Sequence, residues 1–441
     1  MSLPLVLSMC SNTVMEFTDR MFLANYSLDA LAGATPASIT GFLFASFFLG
    51  VAGYVNVFIA QYTGAGNRAG VGASLWQGIY FAIFGAIFMS MLGTAAVPIF
   101  SMIGHDPDIQ QIEVTYFRIL CFGAGANLIG ATMSCFYSGR GFTRTVMLIQ
   151  ITGTLFNIPL DYALINGQWG FPELGIKGAA IATVSSWILI SSIFAILIFN
   201  RRNNEQFHVF NKRAFDPELF MRLMKYGVPG GAQFFLDILS FTFFVLMVGQ
   251  IGKTELALTN IVLSINSLCY MPMWGLSMGV STLVGQAIGK NMPDHAVMTA
   301  RATAHIALFY ALFMVMIFIL TPDLLINIFL PNNLTMAEKA PLLSMGRVLM
   351  KFMTIYLLFD SMIIIYTGVL KGAGDSRFIM LTTIGVSITS LFIPIWFGIN
   401  RFGMGVYFSW SFITIYLVIL FTIIKIRYNN GKWKEIRIIE H

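Results

Sequence analysis

The chain has 441 residues, 57% of them hydrophobic and 10% charged, and a net charge of +6. Its mean hydropathy is +0.77. Soluble domains average about 25% charged residues, so this composition excludes soluble fold classes and predicts an all-α, multi-pass membrane protein.

Apolar runs long enough to cross a hydrocarbon core of roughly 30 Å fall at residues 3–23, 36–60, 74–101, 113–138, 145–166, 176–199, 226–249, 257–285, 297–320, 342–370, 378–398 and 403–425. That predicts twelve transmembrane helices. The first run has no basic leader and reaches spanning length, so it reads as a helix and not as a cleavable signal. It carries Glu16, Asp19 and Arg20 near its end. The fifth run reads Leu155-Phe156-Asn157-Ile158-Pro159-Leu160-Asp161-Tyr162. Asn157 and Asp161 are four apart and share one face of a helix. Pro159 between them frees the carbonyl of Leu155, as in the broken helices of transporters.

The longest hydrophilic stretch, 200–225, separates the sixth and seventh runs. It divides the chain into an amino-terminal lobe (1–200), a linker (201–225) and a carboxyl-terminal lobe with a short basic tail (226–441). Asp237 lies in the seventh run and Asp360 in the tenth, both mid-helix. Either could take a cation or a cationic substrate, or pair with Arg347 or Lys351. The four cysteines, Cys10, Cys121, Cys135 and Cys269, have neither disulfide nor metal spacing and read as small core residues.

With twelve spans, Arg68, Arg140, Arg144, the central loop, Lys290, Lys371, Arg377 and the basic tail share one face. The positive-inside rule puts that face and both termini in the cytoplasm, with the chain in the plasma (inner) membrane. These loops account for the net charge, so no nucleic-acid partner is implied. The halves also repeat: at an offset of 225, Gln61 aligns with Gln286 and Gly64 with Gly289, and at 233, Gly139, Gly141 and Arg144 align with Gly372, Gly374 and Arg377. Six spans per half imply a pseudo-two-fold axis along the membrane normal and a substrate site near the midplane. A carboxylate near the bilayer centre costs several kcal/mol, about 2.5–3.5 on insertion scales. Four of them, Asp19, Asp161, Asp237 and Asp360, therefore point to cation, proton or cationic-substrate binding.

The motifs resemble those of the multidrug and toxin extrusion (MATE) family of antiporters. They are Thr18-Asp19-Arg20-Met21, Leu28-Asp29-Ala30-Leu31-Ala32, Gln61 to Asn67, Gly139 to Arg144, Asn157 to Asp161, Gly175 to Thr183, Leu370 to Arg377 and Arg427 to Trp433. The resemblance runs from Pro4 to Trp433. It implies two six-helix lobes around a V-shaped cleft and export of amphiphilic, often cationic compounds, driven by inward Na⁺ or H⁺. It implies a cation-coupling site at Asp19, Asn157 and Asp161, with Thr183 as a further ligand and Na⁺ a possible occupant. It implies a second cation or substrate site at Asp237 and Asp360. Some members have Glu where Asp237 stands, and Glu16 matches no family position. A monomer in lipid with no cofactor, and no enzymatic activity, is the expectation. A flippase for a lipid-linked precursor, from the same superfamily, is the alternative.

Overall fold

The computed structural model describes residues 2–102, 105–330 and 336–439. Lipid offers no partner for backbone N–H and C=O groups, so spanning segments must satisfy them internally. Accordingly the described residues contain helices and no strand. The helices are α1 (Ser2–Tyr26), α2 (Leu28–Gly64), α3 (Arg68–Thr94), α4 (Ala96–Ser101), α5 (Pro107–Ser138), α6 (Thr143–Asn166), α7 (Ile176–Ile198) and α8 (Arg201–Phe207). Then come α9 (Pro217–Ile251), α10 (Lys253–Gly289), α11 (Pro293–Leu320), α12 (Pro322–Asn327), α13 (Met336–Ala373), α14 (Ser376–Ser387), α15 (Ile393–Phe402) and α16 (Val406–Asn429).

Ten stretches among the described residues are long and apolar enough to cross a membrane, α14 and α15 counting as one through the π-helical turn Ile388–Phe392. An eleventh is α10, whose segments Lys253–Ser267 and Cys269–Gly289 meet at 43°. Pro272 lies about one turn past the bend, where a proline kinks a helix. The remaining long helix, α1, has 25 residues but is less apolar and holds Glu16, Asp19 and Arg20. Each of the twelve predicted spans thus coincides with a long helix. Two details differ. The third run breaks at Ala95 into α3 and the short α4. And α6 runs unbroken through Pro159 to Asn166, where Gly167 (φ +65°) ends it; the helix tolerates its proline and is not the broken helix expected.

The chain divides into two compact units. The first comprises Met1–Phe235, Gly285–Asn291 and Ile438–His441. Here α5 is central, packing against α2, α3 and α7, while α1 lies along α6. Its core includes Phe48, Phe81, Phe100, Tyr116, Phe117 and Leu128. Gly178 packs against the Leu164 carbonyl and Gly153 against the Ile190 side chain, which sets α6 and α7 antiparallel in a fixed register. The expected linker belongs to this unit and is built onto it. Trp76 Nε1 donates to the Val209 carbonyl (2.6 Å) and Gln77 Nε2 to that of Ala214 (3.3 Å). The Asp216 amide donates back to Gln77 Oε1 (3.3 Å), and the Tyr80 hydroxyl donates to the Arg213 carbonyl. Arg140 stacks on Phe136 (3.8 Å) and Phe207 (4.4 Å).

The second unit comprises Leu236–Val284 and Met292–Arg437. In it α13 packs against α11 and α16. Trp410 is fully buried, edge-on to Phe244 at 5.5 Å, and donates to Thr259 (3.2 Å). At the α13–α14 turn the Arg427 guanidinium grips Asp375 with two hydrogen bonds of 2.7 and 3.2 Å.

Candidate functional site

Helices α1 and α6 run parallel. The Ser11 and Thr154 hydroxyls share a buried hydrogen bond of 2.7 Å, and farther along the rings of Phe22 and Tyr162 meet at 5.8 Å. Asp19 lies eight residues beyond Ser11 and Asp161 seven beyond Thr154. At 1.5 Å per residue both climb about 11–12 Å, so the two carboxylates reach the same level on facing helices. They are close enough for their charges to interact. Asn157 and Asp161 are fully buried and Asp19 is 9% exposed.

Helix α5 adds a residue that the sequence reading missed. The Tyr116 hydroxyl donates to Asp19 Oδ2 across 3.1 Å and lies beside Ser38 of α2. Asp19 Oδ1, both carboxylate oxygens of Asp161, and both Asn157 amide atoms are buried and make no hydrogen bond. Buried polar atoms without partners are rare and costly. Four such oxygens on three neighbouring side chains make a cluster of hard donors, suited to a proton or an alkali cation. The α6–α7 register puts Thr183 level with Pro159, between Asn157 and Asp161, and its side chain is half-buried. Glu16 and Arg20, one turn apart on α1, are exposed. Among the described residues no three His, Cys, Asp or Glu side chains form a metal cluster.

In the second unit Asp237 on α9 and Asp360 on α13 lie near one another. Three tyrosines lie within reach of their charges: half-buried Tyr270 and Tyr356 and buried Tyr416 each sense both carboxylates. Ser240, one turn after Asp237, shares a hydrogen bond of 3.1 Å with Ser387, immediately before the π-helical turn. The charge of Lys371, at the end of α13, acts on Asp237. Of the two bases considered from sequence, Arg347 grips Asp323 on α12 at 2.6 and 2.7 Å, and Lys351 is exposed. The three tyrosines were unrecognised because single aromatics in apolar helices carry no signal of what they face.

The MatE family model matches residues 4–163 and 229–397. A probable multidrug resistance protein NorM of Thermotoga maritima is 27% identical over 422 residues, covering 95% of this chain and 88% of that protein. A MOP superfamily transporter from Pyrococcus furiosus superposes with TM-score 0.87 at 18% identity, over 98% of this chain and 95% of its own. A multidrug resistance MATE family transporter in an outward-facing conformation gives the same TM-score, identity and coverage. The fold is thus that of these transporters, and the family match spans both halves of the chain. The chain belongs to the MatE family, the multidrug and toxin extrusion transporters.

Proposed function

We propose that this protein is a multidrug efflux antiporter, exporting amphiphilic, often cationic compounds by alternating access in exchange for Na⁺ or H⁺. The observation that carries the reading is the group of unpartnered oxygens on Asp19, Asn157 and Asp161. An incoming cation satisfies them, and Thr183 completes the set from α7. Tyr116 fixes the orientation of the Asp19 carboxylate. Coupling requires only that the cation bind one state of the transporter more tightly than the other, and that substrate prefer the opposite state. The names of the Thermotoga relative and of the outward-facing transporter support export of drugs.

Asp237 and Asp360, whose charges reach Tyr270, Tyr356 and Tyr416, serve as the second cation or substrate site. Phenol rings attract organic cations through their faces, and two carboxylates supply the counter-charge. The flippase reading is less favoured, because among the described residues both clusters are dominated by acids, with Arg20 beside Asp19 and Lys371 beside Asp237 as the bases whose charges reach them. The basic loops support an orientation with both termini in the cytoplasm and the chain in the plasma (inner) membrane, with a monomer as the working unit.

The test is ethidium exchange in proteoliposomes with Na⁺ and pH gradients imposed separately. Asp161→Asn should abolish the response to the driving ion. Asp360→Asn should alter ethidium affinity while leaving that response intact. Unchanged coupling in Asp161→Asn removes the first site from the mechanism.

A further inference from the structure

Arg118 lies on α5, five residues inside the predicted span 113–138 and so about 7–8 Å past its edge. A cation at that depth is costly unless something pairs with it. Its side chain is half-buried, and its Nε is buried and makes no hydrogen bond. Among the described residues no acid forms an ion pair with it. Glu113, the acid nearest to it along α5, is held by His105 at 2.7 Å and leaves the helix about 140° away. An arginine that merely snorkelled would present its nitrogens to water. Arg118 stands at the end of a groove. With Phe122, Gly125 and Ile129 it is spaced by four, three and four residues, one face of α5. Opposite run Ile83, Ile87 and Met91 of α3. At Gly125 the two helices touch, since a Cβ there would come within 2.8 Å of the Ala86 Cβ. The Ser90 and Thr94 hydroxyls are spent on the Ala86 and Met91 carbonyls at 2.8 and 2.6 Å, which leaves the lining apolar. A Cβ on Gly93 would lie 3.5 Å from the Arg118 carbonyl oxygen, which sets Arg118 level with the Thr94 end.

We infer that this groove binds one anionic glycerophospholipid, with an acyl chain between α3 and α5 and the phosphate on the Arg118 guanidinium. The groove holds about 530 Å³, within the range of small-molecule sites, roughly 300–1,000 Å³. From Ile83 to Thr94 it runs about 16 Å at 1.5 Å per residue. That is close to one leaflet's share of the hydrocarbon core, roughly 15 Å, so a lipid tail fits it lengthwise. The head then lies where the cation is. A guanidinium matches phosphate through paired N–H donors, and basic positions between transmembrane helices recognise lipid head groups. One uncompensated cation takes one negative charge, which favours phosphatidylglycerol over the net-neutral phosphatidylcholine. The site is separate from the Asp19–Asp161 cluster, and neither depends on the other.

The test is native mass spectrometry of the full chain in detergent, titrated with dioleoylphosphatidylglycerol or dioleoylphosphatidylcholine. Wild-type protein should retain one phosphatidylglycerol per chain, with an affinity about tenfold or more above that for phosphatidylcholine. Arg118→Gln should lose that preference, the scale expected when hydrogen bonds to a charged group are removed. Ser90→Phe fills the groove and should lower retention of both lipids while Arg118 stays in place. Arg202→Gln, at an exposed base on α8, should bind as wild type does. Should Arg118→Gln not fold, Ser90→Phe carries the test. Equal affinity of wild type for the two lipids, or wild-type retention in Arg118→Gln or Ser90→Phe, overturns the site. A matching loss in Arg202→Gln makes the effect one of general charge and overturns it too. Displacement of phosphatidylglycerol by inorganic phosphate at comparable concentration overturns the lipid and leaves a free-anion site.

Discussion

The Tyr116 hydroxyl donates to Oδ2 of Asp19 across 3.1 Å, joining α5 to α1 at the one carboxylate oxygen of the first cluster that has a partner. Removing that donor leaves all of the cluster's carboxylate oxygens unsatisfied. Tyr116→Phe should therefore cost about 1–3 kcal/mol of stability, the penalty for orphaning a buried acceptor. It should also weaken cation-driven transport, since Asp19 is no longer held. Thermal unfolding in detergent and exchange in proteoliposomes read the two effects. Wild-type values in both would remove Tyr116 from the site.

Asp161→Asn should behave differently. Neither Asp161 oxygen makes a hydrogen bond in the protein, so the substitution breaks none. Coupled transport should be lost while the thermal midpoint holds or rises. A marked fall in midpoint would mean that the carboxylate is a structural group.

Two glycines of α2 should respond with opposite sign to alanine. A Cβ on Gly64 would overlap the backbone carbonyl of Gln286, and one on Gly289 would overlap that of Gln61. Backbone cannot move aside cheaply, so Gly64→Ala should destabilise by about 1–3 kcal/mol, the usual cost of overpacking. Gly53 has nothing within 4 Å of its Cβ position. Gly53→Ala should stabilise by about 0.5–1 kcal/mol through helix propensity alone. Equal effects at both positions would contradict the close approach at Gly64.

The linker should be protected from protease by its seat on α3. Gln77 is fully buried and holds both Ala214 and Asp216. Gln77→Ala loses two hydrogen bonds worth about 1 kcal/mol each. Lys212 and Arg213 are exposed on the strapped segment, so trypsin should cut there several-fold faster in the variant. An unchanged rate would show that the edge-on contacts of Phe207 with Phe136 and of Phe215 with Tyr80 hold the linker by themselves.

The Arg347 guanidinium holds the Asp323 carboxyl below the usual carboxylate range through two hydrogen bonds. A depressed native pKa stabilises the fold above the unfolded value, about 3.9, and that contribution fades as pH falls through the native value. Both partners are solvent-accessible, so the effect is small. Asp323→Asn should fall slightly beneath wild type in thermal midpoint at neutral pH, and the gap should narrow as pH falls below about 3.9, the unfolded value. A difference that stays unchanged on acidification would assign the effect to packing.

The candidate residues were legible because burial of charge in lipid is expensive and therefore conspicuous. Asp19, Asn157 and Asp161 could be singled out one helix at a time, since each breaks an apolar run. Lys371 reads as a loop base, since position along the chain does not say whether a long side chain turns outward or back toward Asp237. Tyr116 gave no sign, being compatible with any helix face.

The sequence by itself determined the twelve helices, their order and the residues for which lipid exacts a cost, because hydropathy and helical periodicity are local properties. Which helices lie side by side, and at what height, was decided only in three dimensions. The offset between α1 and α6 follows from Ser11 meeting Thr154, and that of α6 on α7 from Gly178 and Gly153 admitting close contact. Those registers depend on how side chains from distant segments fill one another's grooves, and no run of residues encodes them alone. They bring Asp19 to Asp161, and Tyr116 to both.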